Sequence, residues 1–163
     1  MAKISKTYSP KEALARLQNL CSRSEKCIYD IKLKLQQWKI DVVESAKIIE
    51  MLQKYDFVNE ERYVRAYVQE KLSFAKWGRQ KILRALKVKQ IPLELIAKIF
   101  AEHNDNKYRN DLLELLKKKS KSIKAEPQYN QKAKLLRFAI SRGYEYNLVY
   151  EILSSVLDCD NPQ

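Results

Sequence analysis

The residues of this chain best equipped for chemistry cluster in "FVNEERYVRAYVQEKLSFAKWGRQKI", residues 57 to 82. Lys71, Lys76, Arg79 and Lys81 crowd around Trp77 and Gly78, with Arg62 upstream and Arg84 just beyond. Cations beside an indole attract phosphates or carboxylates and offer a ring for stacking, which is the chemistry of binding. A second run, Lys117, Lys118, Lys119, Lys121 and Lys124, continues through Lys132, Lys134 and Arg137. The plainer account of both runs is a solvated face. Gly78, one of two glycines, also has two readings. It is a left-handed residue ending the fourth helix, the reason the pattern favours. It also opens the fifth, where a phosphate or a partner backbone could approach free amides.

Nothing comparable points to catalysis. His103 is the only histidine, which argues against a histidine-ligated metal or a His-based triad. Cys21, Cys27 and Cys159 are odd in number and lack paired metal spacing, so they read as reduced thiols of a cytoplasmic protein. No phosphate-binding loop, zinc-protease pair or nucleophile elbow occurs. The expectation is a non-enzyme with no cofactor and no metal.

The elements that must position these residues are helices. Two glycines and four prolines in 163 residues, with 32% charged and 45% hydrophobic, describe an all-α chain with enough apolar mass for a core. The net charge of +12 calls for a polyanionic or acidic partner. No apolar run is long enough to span a bilayer, and the start "MAKISKTYSPKEA" lacks a secretory signal, so no membrane partner is expected. Nine helices follow from caps and spacing. Ser9-Pro10 with Glu12 opens the first, to about Cys21, and the second starts by Cys27. Asp41 and Asn59 cap the third and fourth. The fifth runs from about Gly78 to Lys89, Pro92 opens the sixth, and the seventh spans about Asn106 to Lys119. Pro127 opens the eighth, and the ninth covers about Glu145 to Leu157.

The helices repeat. Leu35, Ile40 and Ile48 recur in their intervals as Leu86, Ile91 and Ile99, and again as Ala139, Tyr144 and Ile152. The copies lie 51 and 53 residues apart. The expected architecture is an elongated, curved array of three tandem three-helix repeats. Its boundaries are an N-terminal segment 1–8, repeats at 9–56, 57–104 and 105–157, and a tail 158–163.

At this point the sequence resembles the RecX family, regulators of the RecA recombinase. "FVNEERYVRAYV" and "WGRQKILRALKVKQI" resemble the family's second unit, and "RFAISRGYEYNLVYEIL" the end of its third. "CSRSEKCIYDIKLKL" is similar to the start of the first unit. The likeness covers roughly residues 11 to 157. Cys27 departs from a usual capping serine, Asn59 from an aspartate and Ala139 from a leucine. The resemblance implies a modulator, usually an inhibitor, lying in the groove of the RecA–single-stranded DNA filament. It would limit filament growth, ATP hydrolysis, strand exchange and coprotease activity. RecA is then the protein partner and single-stranded DNA the nucleic-acid partner, with free DNA bound non-specifically and the chain a monomer. By motif match, Arg62 and Gly78 are carried over as contacts, and Tyr63, Ile82, Leu86, Arg142, Gly143 and Tyr144 as structural positions. Lys71, Lys76, Trp77, Arg79, Lys81 and Arg84 join the contacts from their charge and placement. Two other readings stand beside this one. In the first, a helix-turn-helix regulator reads DNA through Gln80, Arg84 and Lys87. In the second, the chain is a helical scaffold for another acidic protein.

Overall fold

The computed structural model describes residues 7–159, with side chains through Val156. Cys159's thiol and most of the two terminal segments lie outside the described residues. The described residues form nine helices: α1 (Pro10–Arg23), α2 (Ile28–Gln37), α3 (Val42–Lys54), α4 (Glu60–Ser73), α5 (Arg79–Val88), α6 (Leu93–Ala101), α7 (Asp105–Lys121), α8 (Gln128–Ser141) and α9 (Tyr146–Cys159). The fold is an all-α array of three-helix units, and we place the unit boundaries at the turns before α4 and α7.

The triplication is visible in the backbone itself. At the end of the middle helix of each unit, an amide donates back to a carbonyl five residues earlier. The pairs are Ile40 to Leu35 (3.0 Å), Ile91 to Leu86 (3.2 Å) and Tyr144 to Ala139 (3.1 Å). The residue before each amide is left-handed: Lys39 (φ 57°), Gln90 (φ 58°) and Gly143 (φ 93°). This is one helix-terminating turn used three times, built on the same apolar triplets whose spacing revealed the repeat.

Capping explains how the units are strung together. The first helix of each unit carries a side-chain cap. Ser9 and Glu12 form a reciprocal box, and Asn59 and Asn104 accept from Arg62 and Lys107 amides. The middle helices α2 and α5, behind Cys27 and Gly78, have no side-chain cap. Their open amides are satisfied by the next unit instead. At α2, the Ile28 amide donates to the Glu60 carboxylate at 3.0 Å. Asp30 and Lys89 add an ion pair at 2.7 Å, and Arg62 reaches Glu25 at 2.6 Å. At α5, the Gly78 and Gln80 amides donate to the Arg142 and Gly143 carbonyls at 2.8 and 3.0 Å. The Arg79 amide donates to the Tyr108 hydroxyl at 3.0 Å.

The two joints therefore differ in kind. Between the second and third units, backbone bonds to backbone and one hydrophobic core is continuous from Tyr63 to Leu153. Between the first and second, side-chain carboxylates and cations do the joining. The first unit keeps a separate core around Leu17, Ile31, Leu52 and Val58, while Cys27 is buried in the neighbouring core.

Gly78 is not the left-handed terminator that its place in the sequence suggests. Its φ of −78° and ψ of 161° are extended, and the left-handed residue after α4 is Lys76 (φ 53°). Glycine is required for a different reason. A Cβ on Gly78 would overlap the Gly143 carbonyl group and the Tyr144 nitrogen, and one on Gly143 would overlap Lys81 Cβ. The chain's two glycines lie against each other across the joint. Dihedral freedom alone does not explain Gly143, because Lys39 and Gln90 hold the equivalent left-handed position with full side chains.

Gly78→Ala and Gly143→Ala should each lower stability by about 1–3 kcal/mol in urea unfolding, the cost of overpacking a closed contact. Gln90→Gly, the reverse exchange at the equivalent turn, should change it by less than about 1 kcal/mol. A second expectation concerns alkali. Burial pushes the Tyr63 and Tyr144 phenols up to about 12, from 10.0 in the unfolded chain. Their contribution is complete below about pH 10 and is lost as pH rises toward about 12, because the unfolded chain releases its protons first. The urea midpoint should fall across that window, and Tyr63→Phe with Tyr144→Phe should flatten the fall.

Candidate functional site

The cations singled out in the sequence divide into two groups in space. Arg62 is tied into the first joint: Nε donates to Glu25, one terminal nitrogen to the Asp56 carboxylate at 2.9 Å and the other to the Asp56 carbonyl at 2.9 Å. Arg79 sits in a cage at the second joint. Its guanidinium lies 4.5 Å from the Tyr108 ring centre, near Phe100, and pairs with Asp105 at 2.7 Å. Burial raises the Tyr108 phenol above its ordinary value, and its hydroxyl donates to Glu145 at 2.9 Å while accepting the Arg79 amide. Tyr144 stacks on Tyr108 at 5.3 Å. Lys76 is held 3.4 Å from Asp111. These charges are spent inside the array.

Gly78 is buried and its amide is taken by Arg142, so α5 has no open end for a phosphate. A backbone does approach it, and that backbone is the chain's own.

Lys81 and Arg84 belong to the second group. Together with Lys87 they line the outer side of α5, whose ten residues include no acid. Lys81 lies 4.2 Å above the Trp77 ring, and Lys71 lies 4.9 Å above it and 5.3 Å from Tyr67. Lys81 also abuts Gly143 across the joint. Beyond Gly143, the Arg142 guanidinium lies 5.6 Å from the Phe138 ring, and Lys119 lies 5.3 Å from the same ring. Two short runs of cations and rings, Tyr67–Lys71–Trp77–Lys81 and Arg142–Phe138–Lys119, therefore meet where Lys81 abuts Gly143. Sequence reading named the cations of both runs but missed Phe138 and the junction, which forms only through the contact of glycines 65 residues apart.

Ion pairing sorts the surface. Among the described residues, Lys81, Arg84, Lys87, Lys118, Lys119, Lys121, Lys124, Lys132, Arg137 and Arg142 have no carboxylate within ion-pair distance. The side formed by α4, α6 and the start of α7 is the opposite. There Arg65 bridges Glu61 and Glu102, Lys98 reaches Glu61 at 3.0 Å, and Lys107 reaches Asp111 at 3.0 Å. Hydrogen bonds from Arg65 hold Glu61 and Glu102 below the usual carboxylate value. The cations of α5, of the end of α7 and of α8 are thus mostly left without acids, whereas those of α4, α6 and the start of α7 are neutralised from within. The un-neutralised side can attract an anion at long range and offer rings at short range.

The comparisons with known proteins agree with this architecture. The family model described as RecX, second three-helix domain, matches residues 59–98, and that for RecX, third three-helix domain, matches residues 108–153. The chain is 29% identical over 152 residues to the regulatory protein RecX of Clostridium beijerinckii, covering 92% of this chain and 69% of that protein. It is 27% identical to that of Clostridium acetobutylicum over 153 residues, 91% of this chain and 71% of the other. Its fold matches the crystal structure of RecX from Lactobacillus salivarius with a TM-score of 0.81 at 19% identity, covering 92% of this chain and 97% of that one. A second RecX crystal structure matches with a TM-score of 0.81 at 18% identity, covering 90% and 73%. Among the described residues no helix is long and apolar enough to cross a membrane. With two family domains matched in order over more than half its length, on the units that the repeat defines, this chain belongs to the RecX family of regulatory proteins.

Proposed function

We propose that this chain is a monomeric cytoplasmic modulator of RecA. It acts as an inhibitor, lying in the groove of the RecA–single-stranded DNA filament and limiting filament growth, ATP hydrolysis, strand exchange and coprotease activity. Family membership supports RecA as the protein partner. The observation that carries the mode of binding is the un-neutralised cationic side running from α5 onto the end of α8 and α7. Its charges cost self-repulsion until an anionic surface offsets them. The joint between the second and third units keeps the two halves of that side in register, so little ordering is required on binding. Single-stranded DNA phosphates and acidic protomer faces are the groups it would meet, and free DNA would be held without sequence preference.

Within the surface, Lys81 and Arg84 are the contacts carried forward from the sequence. Lys71 and Trp77 support them, and Arg62, Lys76, Gly78 and Arg79 hold the joints. That division has a consequence for mutagenesis. Arg79→Ala should lower stability by about 1–3 kcal/mol in urea unfolding, since it strips a largely buried guanidinium from Asp105 and Tyr108. Lys81→Ala, Arg84→Ala and Lys87→Ala together should leave the urea midpoint within about 0.5 kcal/mol of the parent and flatten the salt dependence of filament binding. The reading as a whole is tested by RecA's DNA-dependent ATPase, which should fall when this protein is added well below one copy per RecA. An ATPase rate unchanged across a wide ratio at low salt would contradict it.

A further inference from the structure

The second and third units share more than their core. Ile82 and Leu135, Leu86 and Ala139, and Ile91 and Tyr144 are each 53 residues apart, and all six are buried. These pairs fix the register of α5 against α8. The same offset carries "RQKILR", residues 79–84, onto "KAKLLR", residues 132–137. Three cationic positions therefore recur: Arg79 with Lys132, Lys81 with Lys134, and Arg84 with Arg137.

Their surroundings separate the third pair from the other two. Arg79 is caged against Asp105, and Lys132 lies 4.7 Å from the Tyr150 ring. Lys81 lies on Trp77, and Lys134 pairs with Glu126. Arg84 and Arg137 are both exposed, and neither has a carboxylate partner. The one side-chain bond at either is a 3.3 Å bond from Arg137 Nε to the Ala133 carbonyl, which leaves its terminal nitrogens open. The choice of arginine matters, because the chain has 23 lysines and only nine arginines. Arg62, Arg65, Arg79 and Arg109 are ion-paired, and Arg16 and Arg142 lie over rings. Arg23 occupies the last turn of α1, where the helix dipole favours a cation. Only the equivalent pair lacks an internal reason.

We propose that Arg84 and Arg137 are matched phosphate contacts, so that the second and third units grip one single-stranded nucleic-acid backbone twice in the same way. A guanidinium is the side chain suited to two-pronged bonding with phosphate. A backbone with a phosphate at every residue accepts an identical donor at each unit. Arginine also anchors protein interfaces, but there it sits in a packed pocket among apolar neighbours, and the repeat would have to preserve those neighbours as well. Val88 and Ile140, the exposed apolar neighbours one turn away, are not equivalent to each other: the offset pairs Val88 with Ser141 and Ile140 with Lys87. The repeat preserves the charge and not the apolar contact. In the first unit the matching position is Leu33, 39% exposed, so the grip spans two units of the three.

This inference rests on the filament reading only for the kind of polymer involved, and its test contains no RecA. The affinity of the full chain for a fluorescent single-stranded oligonucleotide, long enough to span both units, is measured by anisotropy over a range of NaCl concentrations. Arg84→Ala and Arg137→Ala should each reduce the slope of log affinity against log salt by about 0.7, and the double variant by about 1.4. Leu33→Arg, which supplies the missing third position, should steepen it by about 0.7. Equal thermal melting by circular dichroism shows that the variants keep the fold. A double variant with the parent's slope overturns the proposal. If that variant has also lost its effect on RecA's ATPase, the arginines belong to a protein contact, and the filament reading survives without this one.

Discussion

The close approach of Gly78 to Gly143 is the constraint on which the rest of this molecule depends. Two backbones meet there without a side chain between them, close enough for Gly78 and Gln80 amides to bond to Arg142 and Gly143 carbonyls. That contact fuses two three-helix units into one body with a single core. It also sets Lys81 beside the turn that ends α8, next to Arg142. Without the approach, α5 would begin with open amides and the two runs around Trp77 and Phe138 would be unrelated patches.

The first joint performs the same task by other means. Cys27 stands where Gly78 stands one repeat later, and it fills the neighbouring core with a thiol that burial pushes up to about 11. Burial also works against charge on Lys89, yet Asp30 and Tyr63 hold the ammonium above its ordinary value. A carboxylate from Glu60 does what backbone carbonyls do at the second joint. Ion pairs of this partly exposed kind are screened by salt, whereas the glycine contact is not. The array is thus stiffest between its second and third units, where the cationic side lies.

Much of the fold was legible in the sequence. Caps are local, so Ser9, Asp41 and Asn59 could be placed by eye, and each accepts the amide three residues on. The repeat was legible because each turn buries the same apolar triplet. The reason for Gly78 was not, since its partner lies 65 residues away and local rules favour the commoner use of glycine, which Lys76 in fact supplies. The site was half legible for the same reason. Charge runs mark where cations lie, but whether a cation is free depends on acids remote in sequence. Asp105 lies 26 residues from Arg79, and Asp30 lies 59 from Lys89. Arg137 lies in a lysine-rich run, where its position 53 residues from Arg84, not its charge, sets it apart.

The central claim is that the side of the two-unit block whose cations are mostly left without carboxylate partners faces the anionic partner. Imaging RecA–single-stranded DNA filaments with this protein bound, at subunit resolution, tests it most directly. The account predicts density for α5 and α8 against the filament groove, with the ion-paired side of α4 and α6 turned to solvent. The reverse orientation, with Arg65, Lys98, Glu61 and Glu102 against the filament and Arg84 and Arg137 in water, would contradict it.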